Sequence, residues 1–160
     1  MRIVVGIADM KLSGSGDDQL ITHALGSCLG ITVYDPAVKV GGMLHVMLPQ
    51  SSIDPEKAAE NPFMFVDSGV PLLFLEAYKL GAKKQRIEVK VAGGASTQGG
   101  ETEDFFQIGK RNILLLRKLL WKNGVMVKAE DVGGTASRTM LINLADGSVN
   151  LKVHGQEKSL

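Results

Sequence analysis

Short apolar runs alternate with polar breaks through the first third of the chain. The runs at residues 3–7, 19–25, 29–34 and 40–48 are rich in β-branched residues and bounded by Gly, Asp, Pro or Ser, which predicts strands. Between the last two runs stands Asp35-Pro36-Ala37-Val38, a sequence typical of a tight turn. Residues 29–48 are therefore predicted to form a β-hairpin.

Two later segments have the spacing of amphipathic helices. From about Asp67, apolar residues recur at intervals of three and four, with Gly81 placed to end the helix and Pro71 expected in its first turn. A second helix begins near Ile108 by the same criterion and is closed by Asn123-Gly124.

The remaining apolar runs are again of the β type, at residues 87–91, 125–132, 139–144 and 149–153. The pattern as a whole predicts about seven strands and two helices, which means an α+β fold with two long helices covering a sheet-built core. The length of 160 residues suits one domain over residues 1–160, and residues 153–160 are expected to be a flexible tail.

The composition of the chain excludes some classes of binding partner and location. Lys and Arg number 18 against 17 Asp and Glu, so no surplus charge is available to grip a nucleic-acid backbone. No apolar stretch is long enough to cross a bilayer, and no membrane insertion is expected. The single cysteine, Cys28, excludes an intrachain disulfide and favours a cytoplasmic protein.

The predicted hairpin places two reactive side chains together. If Asp35-Pro36-Ala37-Val38 forms a four-residue loop, Tyr34 faces Lys39, and this register gives one apolar face. On the opposite face Cys28 then lies directly across from His45, within reach of a thiol–imidazole hydrogen bond. An imidazole in this position can take the thiol proton and leave a thiolate nucleophile.

A third residue would hold the imidazole ring. The alternation of strand 19–25 sends Thr22 and His23 to opposite faces, and the Thr22 hydroxyl is the candidate to accept the second imidazole N–H. Gly26 and Ser27 remove bulk from the turn before Cys28 and can present backbone N–H groups to an oxyanion.

Structural explanations stand beside these functional ones. Cys28 is explained equally well as a small buried hydrophobic residue. His45 is also explained as a hydrogen-bonded core histidine, and Thr22 as an ordinary strand residue. The cysteine and histidines lack the paired spacing of metal ligands, so no metal and no cofactor are expected. Phe105 and Phe106 are either a helix-entry staple or a contact for a partner.

Several ordered motifs resemble one family, the chemoreceptor glutamine deamidases called CheD. They extend over nearly the whole chain and comprise residues 25–30 (LGSCLG), 42–49 (GMLHVMLP), 65–68 (FVDS), 80–82 (LGA), 90–95 (KVAGGA), 108–112 (IGKRN) and 131–134 (DVGG) with Arg138. The family usually has Glu where this chain has Lys110, and commonly Gly where it has Ser137.

The resemblance implies a cysteine hydrolase of chemotaxis that converts glutamine of methyl-accepting chemoreceptors to glutamate. It implies an α/β/β layered sandwich similar to the cytotoxic necrotizing factor deamidases, with Cys28 as nucleophile, His45 as acid and base, and Thr22 as the third member. Hydrolysis of receptor methyl esters and binding of the phosphatase CheC are also implied, with Phe105 or Phe106 as a docking contact. Two alternatives remain open: a non-catalytic docking partner that regulates CheC, and a thiol redox sensor.

Overall fold

The computed structural model, which describes residues 1–96 and 106–160, has two five-stranded sheets and three helices in these residues. The strands are β1 (Arg2–Val4), β2 (Asp9–Ser13), β3 (Gln19–Leu25), β4 (Leu29–Asp35), β5 (Val40–Val46), β6 (Glu88–Gly93), β7 (Val127–Val132), β8 (Arg138–Asn143), β9 (Val149–Val153) and β10 (Gln156–Ser159). The helices are α1 (Pro55–Glu60), α2 (Val66–Lys79) and α3 (Ile108–Lys122). The predicted α+β class is confirmed.

One sheet lies between the helices and the other sheet. This central sheet has the order β2-β5-β4-β6-β7, and the outer sheet has the order β1-β3-β8-β9-β10. Aliphatic residues of α2 and α3 pack on one face of the central sheet, in a core that includes Leu44, Leu73 and Leu116. Its other face packs on the outer sheet through a second core that includes Met43 and Met140. Every residue of β4 and β5 is consequently buried.

The β4–β5 hairpin is present, but its predicted register is wrong. Asp35 pairs with Val40 and Gly30 pairs with His45, so the four-residue connection is 36–39 and Cys28 is not directly opposite His45. Asp35 remains in the strand because its buried carboxylate accepts hydrogen bonds from Arg86 and from the Lys83 N–H. The error moves the pairing by an even number of residues, so the faces are unchanged.

Two other expectations need correction. Pro71 is the sixth residue of α2 and lies inside the helix, because the helix already begins at Val66, whose N–H donates to Leu48 O. Residues 153–160, expected to be a flexible tail, include β10, which pairs antiparallel with β9. Both β10 and the unpredicted β2 are short strands at sheet edges, where an apolar pattern is weak.

Candidate functional site

A chain of two hydrogen bonds orients the imidazole of His45 at the interface of the two sheets. The Thr22 hydroxyl on β3 donates to the Val5 carbonyl at 2.8 Å and lies 2.7 Å from His45 Nδ1. A hydroxyl has one proton, and a carbonyl can only accept, so Thr22 Oγ1 must accept from an Nδ1–H. The neutral ring therefore carries its proton on Nδ1 and a basic lone pair on Nε2.

The Nε2 atom is buried and has no hydrogen-bond partner among the described residues. His45 is 0% exposed, and burial lowers its pKa to about 4, so the ring is neutral at physiological pH. Asp9 lies directly across from it on β2, but that carboxylate accepts from the Gly6 and Met10 N–H groups and from Lys11. A threonine, and not a carboxylate, is thus the orienting group.

Cys28 lies just before β4, two residues from the partner of His45, and packs against the core between the sheets. Its place in the chain is therefore diagonal to His45 across the hairpin, and diagonal positions are further apart than a direct pair. No hydrogen bond joins them in the described parts of the chain. Burial raises the pKa of the Cys28 thiol, and its own backbone N–H opposes this only in part. Burial therefore favours a resting state in which the Cys28 thiol and the His45 imidazole are both neutral.

The turn that carries Cys28 is held mainly through its backbone carbonyls. The carbonyl of Gly26 accepts from the Ala95 N–H at 2.8 Å, and the carbonyl of Cys28 accepts from the Gly94 N–H at 2.8 Å. Gly93 approaches so closely that a Cβ there would lie 2.2 Å from the Cys28 carbonyl oxygen, and its φ is +113°. Only glycine meets both requirements.

The predicted oxyanion groups differ in availability. The Gly26 N–H already donates to Ala24 O at 3.0 Å, whereas the Ser27 N–H donates no hydrogen bond to a residue in 1–96 or 106–160. A Cβ added at Gly26 would meet nothing within 4 Å. Gly26 therefore leaves space next to Cys28, and Ser27 supplies the available N–H.

Asn112 is a site residue that the pattern analysis did not single out. It is fully buried on α3, and its amide Nδ2 donates to Ser27 O at 3.0 Å and to Met47 O at 3.1 Å. The signal was present in the sequence, because Asn112 interrupts the buried apolar stripe of α3 that contains Ile113 and Leu116.

The aromatic pair before α3 is only partly described. Phe106 lies in a turn with its side chain 68% exposed, and Phe105 lies outside the described residues.

Among the residues that the structure describes, no group of three or more His, Cys, Asp or Glu side chains could hold a metal ion. None of the described helices combines the length and the apolar character needed to span a membrane.

A thiol near an oriented histidine is the arrangement of enzymes that use a cysteine nucleophile. Comparison with known proteins identifies the family: the profile described as CheD chemotactic sensory transduction matches residues 47–153. A relative from Syntrophus aciditrophicus, named probable chemoreceptor glutamine deamidase CheD 1, is 48% identical over 96% of this chain and 94% of its own length. The probable chemoreceptor glutamine deamidases CheD of Solibacter usitatus and Pyrococcus abyssi are 45% and 41% identical over 99% and 94% of this chain, and over 93% and 91% of their own lengths. This chain belongs to the CheD family.

Proposed function

We propose that the protein is a chemoreceptor glutamine deamidase in which Cys28 is the nucleophile, His45 the acid and base, and Thr22 the residue that orients His45. The observation that carries the proposal is the hydrogen-bond chain from the Val5 carbonyl through Thr22 to His45 Nδ1. It leaves Nε2 as a buried base without a partner in the described residues, on the face where the Cys28 side chain lies. Membership of the CheD family supplies the substrate class.

The first half of the reaction transfers the glutamine side chain to the enzyme. His45 Nε2 takes the thiol proton as Cys28 Sγ attacks the carboxamide carbon, and a carbon–sulfur bond forms. The proton on Nε2 then passes to the amide nitrogen, the carbon–nitrogen bond breaks and ammonia leaves. Because the resting pair is neutral, proton transfer accompanies attack and does not precede it.

The second half hydrolyses the thioester. Nε2 accepts a proton from water, the hydroxide oxygen adds to the thioester carbon, and collapse breaks the carbon–sulfur bond. The proton returns to sulfur, and the product is a glutamate side chain. In both halves the negative oxygen forms next to the Cys28 turn, where the Ser27 N–H is available and Gly26 leaves room for the substrate.

The family resemblance extends the proposal in four respects. An ester passes through the same kind of tetrahedral intermediate as an amide, so receptor methyl esters are included as substrates. CheC is proposed as a protein partner, with Phe105 or Phe106 in the contact. A fold similar to that of the cytotoxic necrotizing factor deamidases and a cytoplasmic location are proposed on the same basis.

The direct test is mass spectrometry of a chemoreceptor cytoplasmic fragment incubated with the protein. Conversion of glutamine to glutamate adds about one mass unit per site, and ammonia release gives an independent rate. We expect conversion by the parent protein and a loss of at least about 100-fold in Cys28→Ala, with the melting temperature of the variant close to that of the parent.

The matched control variant is His23→Ala. It removes the exposed histidine that follows Thr22 on the opposite face of β3, and it should leave the rate of conversion unchanged. Retained conversion in folded Cys28→Ala would refute the assigned nucleophile. Absence of conversion by the folded parent, with several receptors tried, would refute the deamidase.

A further inference from the structure

The β4–β5 ladder includes His45, which pairs with Gly30, but it stops one residue short of Cys28. Its last pair is Leu29 with Val46, so the Cys28 turn and the segment after His45 lie beyond the ladder. The segment after β5 turns away, because the N–H groups of Met47 and Leu48 both donate to Met64 O. The Cys28 turn is held from β6 by the Gly94 and Ala95 N–H groups, and a direct link between this turn and the segment after His45 has to come from outside the β4–β5 ladder.

The Asn112 amide makes that connection from α3. Its Nδ2 donates one hydrogen bond to the carbonyl of Ser27, the residue before Cys28, and one to the carbonyl of Met47, two residues after His45. These bonds use both amide hydrogens. Within the described residues, no other side chain is hydrogen-bonded to both segments.

The Asn112 side chain has opposing effects on stability. It is fully buried, and its Oδ1, which has no hydrogen-bond partner among the described residues, opposes folding. Its two Nδ2 hydrogen bonds favour folding, and an apolar residue of similar shape would lose both effects together. What an apolar residue cannot do is join Ser27 to Met47.

We propose that Asn112 is a positioning residue, whose two hydrogen bonds set the separation and orientation of the Cys28 thiol relative to His45 Nε2. This role rests on the proposed function and deepens it. Asn112 does not touch the substrate, and it acts through the backbone on either side of the reacting pair. A misplacement of about 1 Å between reacting groups costs about 100-fold in rate, so a clamp at this point has a measurable effect.

The test uses Asn112→Ser and Asn112→Asp, each compared with Leu120→Ala. The control residue is buried on the same helix, two turns further along, and belongs to the core between the helices and the central sheet, whereas Cys28 packs against the core between the two sheets. We expect Asn112→Ser to lower kcat for receptor deamidation by about 10- to 100-fold and to change KM by less than about 2-fold. Leu120→Ala should lower the melting temperature without changing kcat.

A second readout does not depend on deamidation. Because Cys28 is the one cysteine of the chain, the rate of alkylation by iodoacetamide reports this thiol alone. We expect Asn112→Ser to slow alkylation at neutral pH by about 10-fold, and to have no effect when His45 is already replaced in His45→Gln, since the two substitutions would remove the same assistance.

The outcomes are distinct. Equal slowing in the presence and absence of His45, or a loss of kcat no larger than that of Leu120→Ala, would overturn the positioning role. Failure of both Asn112 variants to fold while Leu120→Ala folds would also overturn it and make Asn112 a folding determinant. If the parent releases no ammonia, the deamidase fails, and the alkylation cycle still decides on positioning.

Discussion

The two ends of the β4–β5 hairpin differ in whether their buried polar atoms have hydrogen-bond partners. At the closed end, the carboxylate of Asp35 is 0% exposed and is fully engaged by Arg86 and by the N–H groups of Ala37 and Lys83. At the open end, His45 Nε2 and Asn112 Oδ1 are buried and have no hydrogen-bond partner among the described residues.

This difference separates structure from function within one supersecondary element. A buried polar group that is completely satisfied stabilises the fold and has nothing left with which to react. A buried base with a free lone pair opposes folding and is ready to accept a proton. The contrast predicts that removal of a polar group at the closed end lowers stability, whereas removal at the open end lowers the rate and takes away a group that opposes folding.

The largest expected effect is on the pH dependence of stability. Burial lowers the pKa of His45 from 6.5 to about 4, so the unfolded chain binds more protons than the folded one between these values. The free energy of unfolding should therefore fall by up to about 3 kcal/mol between pH 7 and pH 4 because of this residue. Urea unfolding across this range, compared with His45→Gln, isolates the contribution, and an identical slope in both proteins would contradict it.

The closed end titrates in a different window. Burial raises the pKa of Asp35, but hydrogen bonds from Arg86 and from the Lys83 and Ala37 N–H groups outweigh burial and hold this pKa below its usual 3.8. Its stabilisation is thus present above pH 3.8 and is lost only below it. We expect Asp35→Asn to lower the free energy of unfolding at pH 7 by about 2 kcal/mol, with kcat per folded molecule unchanged. Chemical denaturation measures the change in stability, and ammonia release divided by the concentration of folded protein measures kcat. A lowered kcat would contradict the proposed difference between the two ends of the hairpin.

A smaller effect is expected at Thr22. Thr22→Val keeps the shape but removes the hydroxyl between Val5 O and His45 Nδ1, so the imidazole is free to hold its proton on Nε2, the wrong nitrogen for a base. We expect kcat to fall by about 10-fold, whereas Thr22→Ser should retain most of it. Equal rates for the Val and Ser variants, measured by ammonia release, would remove the orienting role.

The sequence predicted best what depends on neighbouring residues. The apolar run broken at Gly26 predicts the limits of β3, and period-2 alternation puts Thr22 on the face opposite to His23; the structure brings Thr22 to His45. Helix α3, the second of the two predicted helices, ends as predicted, with Asn123 as its C-cap and Gly124 at a φ of +69°. The catalytic roles of these residues stay predictions.

The features that the sequence did not predict correctly depend on contacts between residues that are far apart in the chain. Asp35 was assigned to the turn because Asp-Pro favours turns, but its place in the strand is decided by Arg86, which is 51 residues away. Asn112 breaks the apolar stripe of α3, but the role of this break is set by two acceptors that lie 85 and 65 residues away in the chain. Distant partners of buried polar groups cannot be read from local pattern.

Gly93 has a consequence for anyone who wishes to redirect this protein to new substrates. A saturation library selected only for folding should accept many residues at Cys28 and almost none at Gly93, because any side chain there collides with the Cys28 carbonyl. Intolerance to mutation would then be greatest at a position that performs no chemistry. Libraries that aim at altered specificity should diversify Gly26, where a side chain meets open space, and keep residue 93 constant.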